Sequence, residues 1–211
     1  MMQRILGNDY YGCILKMYPI GSRVTIFLPS LNGGGAERVM VALANAFAAR
    51  GYAVDLVLAL ADGPYRSQVS DAVRIVDLKL GRVIKSLFPL VRYLRRERPV
   101  ALLTAMTHAN VVAILARMMA RVSARLVISE RSTITVEAWG AQGLVARILY
   151  SLVPLLYTRA DGIVAVSQAA AADLVKFAGL PDCDVKVVYN PFDLRLIQEK
   201  AAQPVQHPWF A

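Results

Sequence analysis

The chain has 211 residues, 56% of them hydrophobic and 18% charged, which supports a sizeable core and argues against disorder. Two cysteines, Cys13 and Cys183, exclude a disulfide scaffold, and with two distant histidines they offer no zinc-ligand spacing. Twenty-four Lys and Arg against 15 Asp and Glu give a net charge of +9, which favours an anionic partner: nucleic acid, an anionic membrane surface or a phosphorylated ligand.

Residues 1–22 precede the first clear strand and read as an extension. Arg4, Asp9 and Lys16 break any signal-peptide core there. Arg23 to Pro29 reads as a strand, and Ala36 to Arg50 as a helix with Val39, Leu43, Ala46 and Phe47 on one face. Arg50 with Gly51 marks its stop. Strands follow at Ala53 to Leu60 and Val73 to Leu78, then a basic helical segment from Gly81 to Arg98. Val100 to Ala105 is a strand, Asn110 to Arg121 a helix, Arg125 to Ser129 a strand and Leu144 to Arg159 a helix. Gly162 to Val166 is a strand, Gln168 to Ala178 a helix and Val185 to Tyr189 a strand. The longest uncharged run, Pro99 to Ala116, approaches the ~18 residues of a short membrane span, but its polar middle predicts a buried strand followed by a helix. Continuous apolar strands separated by helices predict an α/β fold with a doubly wound, mainly parallel, Rossmann-like sheet. After Asn190-Pro191 the pattern becomes one short helix and a Pro-rich linker.

Leu31-Asn-Gly-Gly-Gly-Ala-Glu-Arg38 joins the first strand to the first helix. In open α/β sheets, ligands bind beyond the C-terminal strand ends, where glycines let backbone amides approach a ligand and a helix N-terminus favours an anion. The dinucleotide fingerprint fails because Arg38 stands where its third glycine belongs, and no Gly-Lys-Ser/Thr follows for a P-loop.

Pro29-Ser-Leu-Asn-Gly-Gly-Gly-Ala-Glu-Arg38 resembles the opening of the family 4 glycosyltransferases, which have the GT-B fold. The resemblance continues in Ile128-Ser-Glu-Arg-Ser132, Asp161-Gly-Ile-Val-Ala-Val-Ser167 and Val187-Val-Tyr-Asn-Pro-Phe-Asp193. It covers roughly residues 23–193 and only the family's N-terminal, acceptor-side domain. The resemblance implies a retaining transfer of a hexose or N-acetylhexosamine from a nucleotide diphosphate sugar to a lipid-linked or polysaccharide acceptor, with no metal or cofactor. It further implies a C-terminal donor-binding domain carrying Glu-x₇-Glu. That motif does not occur in this sequence, so residues 194–211 are expected to begin an interdomain linker and the isolated chain to be inactive.

The resemblance suggests Gly33, Gly34, Gly35, Glu37 and Arg38 at the substrate phosphates. Just past a strand end, Glu130 is expected to orient an acceptor hydroxyl and Arg131 to pair with phosphate, unless the two close a loop by pairing with each other. Relatives often carry a histidine in that loop, and this chain has none there. His108 follows another strand end and is a catalytic candidate at the same cleft, or else a hydrogen-bonded structural histidine beside Thr107; Asn110 is a candidate substrate contact there. Ser167 and Asn190 are candidates at the cleft or hinge, or else a helix cap and a turn.

In the basic segment, Lys85, Arg92 and Arg96 share a face with Arg95 close by, opposite Ile84, Leu87, Phe88, Val91 and Leu94. Pro89 means that this helix kinks or begins near Ser86. Such a face suits an anionic membrane or a lipid-linked pyrophosphate, as well as plain solvent exposure. Nucleic acid is not the expected partner, since no recognition motif is present and aromatics do not interleave with the basic run. The chain is expected at the cytoplasmic membrane face. A second reading is a non-catalytic module of the same fold that holds a glycolipid or a partner chain.

Overall fold

A computed structural model describes residues 17–190, 198 and 201–203. Its centre is a seven-stranded sheet with strands β1 (Arg23–Leu28), β2 (Ala53–Leu58), β3 (Val73–Asp77), β4 (Ala101–Ala105), β5 (Arg125–Glu130), β6 (Gly162–Ala165) and β7 (Val185–Val187). Every neighbouring pair is parallel, in the order β3-β2-β1-β4-β5-β6-β7. The chain runs outward from β1 in one direction, then returns to β4 and runs outward in the other. That reversal opens a crevice above the C-terminal ends of β1 and β4.

The strands are apolar on both faces because helices cover both. Val24, Ile26 and Leu28 pack with α1 (Gly35–Ala48) through Val39, Met40, Leu43 and Phe47. Phe27, Leu102 and Ile128 face the opposite layer: α2 (Leu87–Glu97), α3 (Thr107–Ala120), α5 (Leu144–Ser151), α6 (Val153–Leu156) and α7 (Gln168–Ala178). A short helix, α4 (Ile134–Gly140), lies between β5 and α5.

All seven predicted strands are present, with the same order along the chain. The helices differ in four places, the first being α4, which the sequence pattern does not predict. The predicted helix over 144–159 is divided into α5, α6 and a 3₁₀ turn, Tyr157–Arg159, with Pro154 in the first turn of α6. Of the two alternatives for Pro89 the structure has the second: helix α2 begins at Leu87, next to Ser86, and Pro89 sits in its first turn, where its missing N–H costs nothing. Lys85 therefore lies in a preceding 3₁₀ turn, Val83–Ser86, rather than on the helix. Helix α3 starts three residues earlier than its apolar pattern predicts, which puts Thr107, His108 and Asn110 in its first turn. The short helix and linker expected after Pro191 fall largely outside the described residues, as do residues 1–16 of the predicted extension.

A buried ionic network ties α2 to the sheet. Asp55 on β2 is 1% exposed, and it accepts from Arg23 (2.9 Å), Arg74 (2.9 and 2.5 Å) and the Tyr93 hydroxyl (2.5 Å). Burial alone raises a carboxyl pKa, but these hydrogen bonds outweigh it and hold Asp55 below its ordinary value. Glu97, at the end of α2, joins Arg74 at 3.0 Å and Arg96 at 3.0 Å.

Candidate functional site

The crevice is built by the loop after β1, the first turn of α1, the first turn of α3 and helix α4. The glycine loop packs on its neighbour, the turn after β2. Leu31 N–H donates to Asp62 O at 2.8 Å, and Gly63, at φ +125°, has no room for a Cβ against the Leu31 carbonyl. Gly33 takes φ +100°, a left-handed conformation that favours glycine. A Cβ on Gly34 would overlap the Glu37 carboxylate, which folds back over the helix start and is buried. Gly33 thus has a backbone reason to be glycine, while a Cβ on Gly34 has only to push aside the end of the Glu37 side chain. Gly35 has neither constraint: its φ is not positive and nothing lies within 4 Å of where a Cβ would be. Of the three loop glycines it is the one with open space beside its backbone.

Across the crevice, Met106 links β4 to α3 with φ +76° and ψ 133°, a conformation rare for a side chain of this size. It aims the first turn of α3 at the opening. His108 stands there partly buried; burial holds its pKa below the ordinary value, while the Glu137 and Glu37 carboxylates act in the opposite direction. Its imidazole is therefore neutral near pH 7, flanked by one carboxylate from each wall.

Below the first turn of α3 lies a third carboxyl. Glu130 ends β5 at 1% exposure. Thr107 Oγ1 donates to it at 3.0 Å, Asn110 Nδ2 at 2.9 Å, and the Tyr157 hydroxyl also donates to it. Burial is the dominant influence and pushes its pKa up to about 7, with the three hydrogen bonds opposing and the nearby Glu137 adding to the rise. Thr107 Oγ1 also lies 3.3 Å from Glu137 Oε2. One hydroxyl proton serves one ionised carboxylate at a time. A proton on Glu130 lets both contacts be hydrogen bonds, with Glu130 donating to Thr107 and Thr107 to Glu137. Glu137 is further held by Ser132 Oγ and by the Tyr150 hydroxyl at 3.0 Å.

This geometry revises several sequence expectations. Glu130 and Arg131 do not pair with each other. Glu130 is buried, so it positions Thr107 and Asn110 and has no surface to offer an acceptor hydroxyl. Asn110 is likewise fully buried; it donates to Glu130, Ser129 O and Tyr157, so it supports the site from below. Arg131 turns to Asn190, Nη1 donating to Oδ1 at 2.7 Å, which joins the loop after β5 to the end of β7. Ser167 caps α7, accepting from Ala170 N–H at 3.1 Å. Arg38 is exposed beside the opening. Lys85, Arg92, Arg95 and Arg96 are all exposed, but Arg95 donates to Met119 O at 2.8 Å and Arg96 pairs with Glu97. Glu137, Thr107 and Tyr150 escaped sequence reading because no motif marks them. They meet only through the packing of α4 and α5 against α3.

Among the described residues no three of His, Cys, Asp and Glu converge as a metal site. The D-x-D string Asp182-Cys183-Asp184 lies in a 3₁₀ turn before β7, at the end of the sheet away from the crevice.

The sequence profile of Glycosyltransferase Family 4 matches residues 33–196, which runs from the glycine loop past the end of the sheet. The chain belongs to this family. A Campylobacter jejuni N-acetylgalactosamine-N,N'-diacetylbacillosaminyl-diphospho-undecaprenol 4-alpha-N-acetylgalactosaminyltransferase is 26% identical over 191 residues, covering 87% of this chain and 52% of that protein. The chain thus spans about half the length of this curated relative. Among solved structures, Anabaena Alr3699/HepE in complex with UDP superimposes with a TM-score of 0.60 at 22% identity, over 83% of this chain and 45% of that one. Sucrose-phosphate synthase from Thermosynechococcus elongatus gives 0.65 at 14% identity, over 89% and 54%. Both likenesses establish the fold: this family 4 chain has the Rossmann-like architecture of one half of a GT-B glycosyltransferase.

Proposed function

We propose that this family 4 domain holds the acceptor in a retaining sugar transfer from a nucleotide diphosphate sugar, and that the acceptor is lipid-linked. The observation that carries this reading is the convergence of Glu37, His108 and Glu137 on a crevice whose floor is a buried, hydroxyl-rich cluster. Carboxylates and a neutral imidazole accept hydrogen bonds from sugar hydroxyls. A site dominated by acids is poorly suited to the diphosphate of the donor. That load falls to a donor-binding domain facing the crevice, whose closure positions the acceptor hydroxyl. Gly35, with open space above it, the exposed Arg38, and Arg131, whose Nε and Nη2 have no hydrogen-bond partner among the described residues, are the groups left to meet phosphate on this side. The lipid-linked acceptor is supported by the relative from Campylobacter jejuni, whose name specifies an undecaprenol diphosphate substrate. No metal or cofactor enters this reading.

We assign the domain a peripheral place at the cytoplasmic membrane face. Phe88 on α2 is 70% exposed, and Trp139, Leu144 and Leu155 of α4 to α6 are 86%, 74% and 64% exposed. Lys85 and Arg92 lie on the same layer of helices, a mixture suited to an anionic interface. Among the described residues no helix is long and apolar enough to cross a membrane.

Calorimetric titration of the 211-residue chain with a short polyprenyl diphosphate bearing N-acetylhexosamine tests the reading. Saturable binding is expected, weakened about ten-fold by His108→Ala with an unchanged melting temperature. Nucleotide sugar should not be hydrolysed by the chain alone. Absence of acceptor binding, or turnover of nucleotide sugar without a second domain, contradicts it.

A further inference from the structure

The far end of the sheet carries a second, unrelated concentration of charge. Helices α2 and α3 lie side by side and end there, just before β4 and β5. Each ends on an arginine in the left-handed conformation, Arg98 at φ 43° and Arg121 at φ 53°. Glycine or asparagine adopts that conformation at less cost. Between the two helix ends lies a cavity of about 540 Å³, lined by Arg95, Arg98, Arg121 and Ser123 with the apolar surfaces of Pro99 and Val122. That volume is in the range of small-ligand sites.

No carboxylate lines this cavity. Between Gly81 and Arg121 the sequence holds eight Lys and Arg and a single acid, Glu97. Glu97 is already committed to Arg23, Arg74 and Arg96. Arg95 spends one N–H on Met119 O at 2.8 Å, a bond that fixes one wall of the cavity to the other. Neither Arg98 nor Arg121 has a side-chain partner among the described residues. A helix C-terminus attracts basic side chains, which accounts for Arg95 and Arg96 in the last turn of α2. It does not account for two left-handed arginines facing one cavity with no acid to compensate them.

We propose that this cavity is an anion site that takes a phosphate ester or pyrophosphate group, bound by the guanidinium groups of Arg98 and Arg121 with Arg95 and the Ser123 hydroxyl. Planar guanidinium forks pair with phosphate oxygens bidentately. The site lies a full strand length below the crevice, ~16 Å for five residues of β4, so it is separate from the transfer site and independent of the function proposed above. The phosphate comes either from a lipid headgroup or from a soluble compound, and both present the same chemistry.

The left-handed backbone supplies a clean test. Arg98→Gly with Arg121→Gly removes both guanidinium groups while relaxing the main chain, so the melting temperature should hold or rise. Inorganic pyrophosphate, titrated into the 211-residue chain, should bind saturably and lose at least about ten-fold in affinity in the double variant. Arg98→Asn with Arg121→Asn, which also tolerates the left-handed region, should behave the same way and guards against a folding defect in the first pair. Competition by vesicles of phosphatidylcholine with phosphatidylglycerol, but not of phosphatidylcholine alone, would identify the lipid headgroup as the source. Pyrophosphate binding without such competition would identify a soluble phosphate. Equal affinity in wild type and both variants, or no binding by wild type at millimolar pyrophosphate, overturns the site.

Discussion

The folded-state pKa of Glu130 is about 7 against an ordinary 4.5, so the native state binds a proton that the unfolded chain releases. Stability therefore falls as pH rises from about 4.5 to about 7 and is level above that, a difference of roughly 3 kcal/mol. Glu130→Gln, which keeps the shape and stays neutral, should remove this slope and melt at or above the wild-type temperature at pH 8. An unchanged slope in pH-dependent melting would show that Glu130 is ionised throughout. At the glycine loop, the two adjacent substitutions should part ways. Gly34→Ala turns the Glu37 carboxylate, the far end of a flexible side chain, away from the helix start and should lower stability by less than about 1 kcal/mol. Gly35→Ala meets nothing and improves helix propensity, so stability should hold or rise by up to ~1 kcal/mol. On the proposed function, Gly35→Ala should nonetheless weaken acceptor binding by the 211-residue chain; unchanged binding would remove the loop from the site. Sequence reading singled out the loop by its three glycines together. Which glycine serves the ligand became legible only from where Glu37 and Pro64 sit.

Helix α2 owes its place to the sheet more than to its own sequence. Its outer face is basic, and its inner face combines Leu90, Val91 and Leu94 with the Tyr93 hydroxyl that reaches Asp55. Asp55→Asn leaves Arg23 and Arg74 without their buried counter-charge and should cost about 2 kcal/mol, measured by denaturant unfolding. Because the folded-state pKa of Asp55 is depressed, its contribution is complete above the ordinary carboxylate value and is lost as pH falls through the folded one. The variant should therefore show a shallower loss of stability on acidification below about pH 4 than wild type. Wild-type-like stability would mean that the network is offset by desolvation. Elements with a strong internal period were legible in the sequence, and the strands above all, since short continuous runs of Val, Ile and Leu between turn residues are the mark of strands buried on both faces. Helix α4 was not. Ile134 to Gly140 is short, rich in β-branched residues and polar at its start, and its helical form depends on Thr135 holding Asp173 of α7 and on Glu137 holding Thr107. The first turn of α3 was missed for a related reason: Thr107 and His108 break the apolar pattern because they belong to the site.

The whole molecule separates its charges. Acids gather with a histidine at the crevice, while the helical layer over α2 and α3 carries most of the net positive charge. The sequence total of +9 pointed to an anionic partner without saying where it docks. Among the described residues, basic side chains concentrate on an exposed layer with apolar neighbours and around the arginine cavity at the far end of the sheet. Charge reversal of Lys85 and Arg92 to Glu should weaken sedimentation with phosphatidylglycerol vesicles several-fold and leave acceptor binding unchanged; equal sedimentation would make that layer ordinary solvent-exposed surface. The match to about half of a longer relative is what makes the division of labour central. On the proposed function, this domain should recognise acceptor by itself and leave the nucleotide to a donor-binding domain. The most direct measurement is a chemical-shift map of the isotopically labelled 211-residue chain, titrated separately with a polyprenyl diphosphate-linked N-acetylhexosamine and with UDP. The acceptor should shift the amides of Gly33 to Arg38, His108 and Glu137, and UDP should leave them in place. Shifts at those residues with UDP and none with the acceptor would contradict an acceptor-side role for this domain.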